Sequence, residues 1–308
     1  MPVVRPLFSI VIPTYNCAHL LTRALDSVCN QTDSACEVVV VDDGSTDATA
    51  EVVQSYGQKI RNLIYRYQVN RGPGAARNHG TNLAKGSYLL FLDSDDQLLP
   101  DALMHFHRAF LTGDKFDFVF GGHVRIRPGG RVKATSLKPL SERREDNVRR
   151  YLFNDLRAIA VGGAVIRKDV FARIRFPEEI RNMEDVVFFS RLLGSHDGMI
   201  LSEIVVALFR HQDSLSHNPR YAAEDPLKAV DLIFDPIFLP AGVMHLRNKY
   251  HSLICLAQGR LLYKLGKYPE AKLRFEEAFR IFPGHLWRIS HLRRYLWLVL
   301  RPATSVKS

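Results

Sequence analysis

The chain has 308 residues, 46% of them hydrophobic, 24% charged and carrying a formal net charge of +10. That length buries a full core with room for an appendage, and the basic balance favours anionic partners, whether nucleotides, phospholipid surfaces or nucleic acid. No stretch reaches the roughly eighteen consecutive apolar residues of a spanning helix, and no dense Lys/Arg tract or nucleic-acid-reading motif is present.

The N-terminus enters a strand pattern at once, Phe8-Ser9-Ile10-Val11-Ile12, with no basic segment and apolar run before it. That pattern argues against a secretory signal and for a cytoplasmic protein, with contact at the inner face of the membrane left open. Cys17, Cys29, Cys36 and Cys255 show neither a CxxC pair nor metal-type spacing with histidine, so reduced thiols are expected.

From Leu7 to Leu92, short apolar strands alternate with amphipathic helices. The expected strands are Leu7 to Ile12, Glu37 to Val41, Leu63 to Tyr67 and Tyr88 to Leu92. The expected helices are His19 to Asn30, Asp47 to Tyr56 and Ala75 to Ala84. This alternation predicts an α/β fold with a mostly parallel, doubly wound sheet.

Two of the strands end in acids. Val38 to Val41 runs into Asp42-Asp43-Gly44-Ser45-Thr46-Asp47, and Tyr88 to Leu92 runs into Asp93-Ser94-Asp95-Asp96. Ionised side chains are not tolerated inside a buried strand, so these acids belong at the exposed C-terminal edge, where open α/β sheets bind ligands. Hard oxygen ligands gathered there suit Mg²⁺ or Mn²⁺, although aspartate is also a turn and cap residue.

Beyond Pro100 a helix is expected near Asp101 to Leu111, then a hairpin from Phe116 to Arg127 turning at Pro128-Gly129-Gly130, and a charged helical segment from Ser141 to Arg150. Ala158 to Arg167 reads as a strand in which Gly162 and Gly163 mark either a close backbone approach to a ligand or a bulge. Glu184 and Asp185 fall in the first turn of an amphipathic run, Val186 to Leu193, where the helix dipole is expected to lower a carboxylate's pKa.

The chain becomes helical from about Asp225. Gly259, Leu262, Gly266, Tyr268, Ala271, Phe275, Ala278 and Pro283 match one tetratricopeptide helix pair at its period of about 34 residues. One repeat suits a helical extension packed on the first domain better than a peptide-binding array. The segment 285–301 interleaves Trp, Leu and Tyr with Arg288, Arg293 and Arg294; it either lies in a membrane interface or docks on protein.

In order along residues 6 to 220, Ser9-Ile10-Val11-Ile12-Pro13-Thr14-Tyr15-Asn16, Asp42 to Asp47, Gly72-Pro73-Gly74-Ala75-Ala76-Arg77-Asn78, Asp93 to Asp96 and Glu184-Asp185 resemble the family 2 glycosyltransferases of GT-A fold. These are inverting enzymes that use nucleotide-activated sugars. The resemblance implies a GT-A domain over 1–222 and a helical extension over 223–308, with the tetratricopeptide-like pair at 250–283.

It also implies roles. Asp95 is the first choice as metal ligand, Asp93 serves the ribose or a metal-bound water, and Asp96 shares or replaces either. Pro13, Thr14 and Tyr15 would wall the base pocket, Asp43 would accept a hydrogen bond from the base, and Arg77 would face the base or the phosphates. Asp185 is the candidate general base, with Glu184 positioning it or the acceptor. Phe209-Arg210-His211-Gln212-Asp213-Ser214-Leu215-Ser216 is similar to the Arg-x-His-x-x-Ser-x-Ser segment closing many such sites, with Phe209 in place of the arginine. Arg210 would then supply charge for the phosphates and His211 a metal ligand.

The expected reaction is transfer of a hexose or N-acetylhexosamine from a nucleotide donor, a UDP-sugar above others, to a glycan or lipid-linked acceptor. A single displacement would convert an α-linked donor into a β-linked product, in the setting of surface-polysaccharide or lipid-glycan assembly. The competing reading is a catalytically silent binding or assembly protein on the same fold. A dinucleotide fingerprint is excluded because Arg77 stands where its last glycine or alanine should be, and no phosphate-loop lysine motif is present.

Overall fold

The computed structural model describes residues 6–31, 36–111, 116–210, 227–287 and 289–300. Its N-terminal half alternates as the sequence predicts: β1 (Phe8–Thr14), α1 (Ala18–Cys29), β2 (Cys36–Asp42), α2 (Thr49–Ser55), β3 (Leu63–Tyr67), α3 (Pro73–Leu83) and β4 (Tyr88–Phe91). These strands lie parallel in the order β3-β2-β1-β4.

The second half follows with β5 (Gln97–Leu98), α4 (Ala102–Leu111), β6 (Phe118–Ile126), β7 (Val132–Thr135), α5 (Arg144–Phe153), β8 (Ala164–Arg167), α6 (Glu184–Ser195) and β9 (Gly198–Phe209). It extends the sheet as β4-β8-β6-β9-β5, with β7 paired to β6. Here β8 runs antiparallel to β4 and β6, while β9 returns parallel to β6. The sheet is therefore parallel where it is doubly wound and mixed beyond β4.

The uninterrupted valines of β2 have a packing reason. Val38 and Val40 enter one core with Leu21, Leu25 and Phe106, whereas Val39 and Val41 enter the other with Ala76, Phe171 and Phe188. A sheet covered on both faces needs apolar side chains at every position, and alternation disappears.

The span 158–167 is a strand only in its second half, because Val161–Gly163 form a 3₁₀ turn before β8. A Cβ on Gly163 would stand 3.0 Å from the Gly121 carbonyl oxygen, and one on Gly162 would stand 3.0 Å from Val206 Cγ2. The two glycines thus admit neighbouring strands, with no ligand needed to account for them.

The C-terminal helices are α7 (Leu227–Ile233), α8 (Ala241–Met244), α9 (Arg247–Lys264), α10 (Tyr268–Ile281) and α11 (Ile289–Leu300). Val230, Ile233, Phe234, Tyr250 and Ile254 pack into the same core as α5 and α6. A separate apolar cluster begins at Cys255 and joins α9, α10 and α11 through Leu256, Ala271, Phe275, Phe279 and Leu298. Gly259 sits where its missing side chain lets Phe275 approach, a Cβ there standing 3.3 Å from the ring. The proposed division between residues 222 and 223 lies outside the described residues.

Candidate active site

The loops after β1 and β2 are knitted into one wall. Asn16 donates its backbone N–H to Ser45 Oγ at 2.9 Å and accepts from the Thr46 N–H through Oδ1 at 2.8 Å. Asp47 accepts from the Ala18 N–H and from the Thr49 N–H and hydroxyl at the start of α2. Ser45, Thr46 and Asp47 thereby hold Pro13, Thr14 and Tyr15 in place: Pro13 is half-buried in β1, Tyr15 is exposed, and Thr14 is buried with an Oγ1 that meets no hydrogen-bond partner among the described residues.

The two acids ending β2 are well supplied with donors. Asp42 accepts from the Ser45 N–H through Oδ1 and the Tyr65 hydroxyl through Oδ2. Asp43 accepts from Gln68 Nε2 at 2.7 Å and from the Arg71 and Gly72 N–H groups at 2.8 Å each. That last pair bends the chain into the Gly72-Pro73-Gly74 entry of α3, where Gly72 takes φ +92°, a conformation that favours glycine.

The acids after β4 are placed differently. Asp93 is half-buried and accepts from Arg77 Nη2 at 2.8 Å. Asp95 is half-buried, and its carbonyl oxygen accepts from Arg23 Nη1 at 3.1 Å. Asp96 is buried and accepts from the Phe209 N–H at 3.0 Å. Burial, reinforced by Asp95 and Asp93, pushes the Asp96 carboxyl well above the usual carboxylate range.

β5 runs antiparallel to β9, which carries Phe209 and Arg210 back to these acids. Arg23 stacks over the Phe209 ring at 3.8 Å. Arg210 is exposed next to that contact, and its charge acts on Arg125, as does that of Asp96. His211 lies outside the described residues. Arg23 escaped the sequence reading because nothing near it in the chain marks it; its partner residues lie about seventy or more positions away.

Glu184 and Asp185 open α6 behind Met183, which adopts a left-handed φ of +67°. Glu184 is buried and accepts from Arg77 Nη1 at 2.7 Å. One guanidinium therefore joins the β4 acids to the α6 acids. The sequence reading turned Arg77 toward the base or the phosphates; its terminal nitrogens go instead to Asp93 and Glu184, leaving a buried Nε with no partner among the described residues. Burial works against the Arg77 charge, but Asp93 and Glu184 together hold its pKa above the ordinary value.

The α6 acids correct one expectation. Burial pushes Glu184 up to about 7 against the pull of Arg77, with a further push from Asp185. Asp185 is also raised by burial, opposed by Arg77 and by the Val186 N–H that its Oδ1 accepts at 2.8 Å. Desolvation outweighs the helix start, and a raised pKa makes a stronger base.

Neighbouring loops brace this arrangement. Asn78 donates to the Phe176 carbonyl oxygen and to Glu178 Oε1, each at 2.9 Å, and accepts from the Phe176 N–H. Arg181 Nη1 donates to Asn70 Oδ1 at 2.9 Å. The entry of α3 is thus bound to the segment that leads into α6.

Asp93, Asp95 and Asp96 fit a hard divalent cation by their chemistry: they are three crowded carboxylates, and each of Asp93 and Asp96 keeps an oxygen that makes no hydrogen bond described above. They do not close a three-ligand cage. Among the described residues the one His/Cys/Asp/Glu group with ligand atoms within 4.8 Å is His251, Cys255 and Glu277 on α9 and α10. There Glu277 is already paired with Arg274 at 2.7 Å and lies 3.5 Å from His251. One or two carboxylates completed by phosphate oxygens and water is the usual way to hold Mg²⁺.

The chain matches the model of the family described as "Glycosyl transferase family 2" over residues 9–175, more than half its length. It is 34% identical over 187 residues to a poly(ribitol-phosphate) beta-glucosyltransferase of Bacillus spizizenii, a match covering 58% of this chain and 28% of that protein. The chain spans less than two thirds of the length of the curated relatives it matches first. Among solved structures, residues 1–349 of S. aureus TarS in complex with UDP-GlcNAc superpose with a TM-score of 0.69 at 23% identity, covering 94% of this chain and 90% of that one. A mannosyltransferase of Pyrobaculum calidifontis in complex with GDP-Man and Mn²⁺ gives 0.57 at 16% identity, covering 97% and 82%. These likenesses establish a GT-A fold.

Proposed function

The chain belongs to glycosyl transferase family 2, and from that premise we propose that it moves a hexose or N-acetylhexosamine from a UDP-sugar to a hydroxyl of a glycan or lipid-linked acceptor, with inversion. The observation that carries the reading is the Arg77 bridge, which holds Asp93 and Glu184 at 2.8 and 2.7 Å from one guanidinium. Donor-side and acceptor-side acids from distant parts of the chain are then close enough to act on one glycosidic carbon.

On the donor side, the loop 13–15 walls the base, and Asp43 offers Oδ2 to a ring N–H of uracil. The UDP-GlcNAc bound by the S. aureus protein favours a uridine donor. Asp95, with Asp93 or Asp96, would hold a Mn²⁺ or Mg²⁺ ion, and such an ion supplies neutralisation of the charge on a departing nucleoside diphosphate. Arg210 adds positive charge from the end of β9.

On the acceptor side, Asp185 takes the hydroxyl proton as that oxygen bonds to the anomeric carbon and the bond to the diphosphate breaks. Glu184, fixed by Arg77, orients Asp185 and the acceptor. With the base and leaving group on opposite faces, an α-linked donor gives a β-linked product.

Calorimetric titration of UDP, GDP and dTDP in Mn²⁺ and then in EDTA tests the reading. Metal-dependent selectivity for UDP is the expected result. Absence of binding by every nucleotide in both conditions would overturn it and favour a silent member of the fold.

A further inference from the structure

The helix α11 is covered on one side only. Tyr295 packs against Phe279 with ring centroids 5.5 Å apart, Leu298 is buried, and Trp297 sets its edge on Tyr263 and Tyr268 at 5.4 Å each. These contacts fix the helix against α9 and α10. Its other side presents Leu296, Val299 and Leu300, with Leu300 79% exposed.

Because Trp297 meets both Tyr263 and Tyr268, the end of α11 lies beside the turn joining α9 to α10. The last turn of α9 and that connection expose Leu261 and Leu265 next to the exposed Lys264 and Lys267. The two segments together offer exposed leucines, a half-exposed indole and a fringe of cations. From residue 281 to 308 the chain carries five Arg or Lys and no Asp or Glu. No helix among the described residues is long and apolar enough to cross a membrane.

An apolar face edged by lysine and arginine and marked by tryptophan is the composition that settles at the headgroup boundary of a bilayer; the stretch 281–308 brings no acid to it, and the exposed Glu270 at the start of α10 stands beside Lys267. We infer that the end of α11 and the α9–α10 turn form a docking surface for anionic phospholipid, with Leu265, Leu296 and Leu300 entering the headgroup layer and Lys264, Lys267 and Arg293 meeting its phosphates. Docking there would hold the enzyme beside acceptors anchored in the same leaflet. The inference is independent of the donor and of the reaction.

Flotation of the full-length chain with vesicles of phosphatidylcholine alone, and of phosphatidylcholine mixed with phosphatidylglycerol, tests it. The native chain is expected to float with the anionic vesicles only and to be released by high salt. Leu296→Glu combined with Leu300→Glu, and separately Lys264→Glu combined with Lys267→Glu, should each weaken that binding about tenfold or more. Both variants should melt as the native chain does and bind UDP unchanged. Lack of binding to anionic vesicles, or equal binding by well-folded variants, would overturn the inference. So would lipid-independent self-association of the native chain that the leucine substitutions abolish, since this face would then join two copies.

Discussion

Two strands of this sheet run into clustered acids, two after β2 and three after β4, and they differ in what surrounds those acids. Asp42 and Asp43, after β2, accept from Ser45, Tyr65, Gln68, Arg71 and Gly72. Asp96, after β4, takes one N–H and stands against two further carboxylates that help push its pKa up. Carboxylates rich in donors are held ionised by the fold itself, whereas crowded carboxylates short of donors lack compensation for their charge until a cation or a proton supplies it. The α6 acids belong to the second kind: one arginine and one N–H hold a buried Glu184 and a half-buried Asp185, whose pKa values desolvation raises.

Removing acids of the second kind should cost the most turnover. Asp185→Asn should lower kcat about a thousandfold by deleting the proton acceptor, while UDP affinity measured by calorimetry stays the same. Asp95→Asn should lower kcat/KM on the order of a hundredfold and move the Mn²⁺ titration midpoint to higher concentration. Retained metal dependence in Asp95→Asn would transfer the ligand role to Asp93 or Asp96.

Arg77→Gln acts on both sides of the site. It leaves Asp93 and Glu184 without their shared cation, and denaturant unfolding should show a loss of about 3 kcal/mol. Since Arg77 opposes the rise of Glu184 and Asp185, its removal should move the acid limb of kcat/KM to higher pH. Asp42→Ala should have the smallest effect on turnover. It strands the Ser45 N–H and the Tyr65 hydroxyl, costing about 2 kcal/mol of stability while kcat stays near native.

Much of this was legible in the sequence. The valine run of β2, the β4 strand ending in acids and the tetratricopeptide pattern of α9 and α10 are local signals, and the structure carries them where periodicity placed them. What stayed hidden depends on distant contacts. By resemblance Arg77 faces the base or the phosphates; its bridge to the α6 acids shows only when Glu184 arrives from 107 positions away. Gly162 and Gly163 yield a turn because β6 and β9 press on them, a fact absent from their neighbours in the chain. The upward shift of Asp185 reverses the helix-start expectation because burial is a property of the packed fold.

The pH dependence of kcat/KM in the native chain reports on the ionisation of the α6 base. A base must be ionised to accept a proton, so activity is lost as pH falls through its folded pKa, and burial has raised that value. The expected acid limb has its midpoint above the ordinary aspartate value of about 4, displaced further upward in Arg77→Gln. A profile that stays flat to pH values near 4, or one that Arg77→Gln leaves in place, would contradict it.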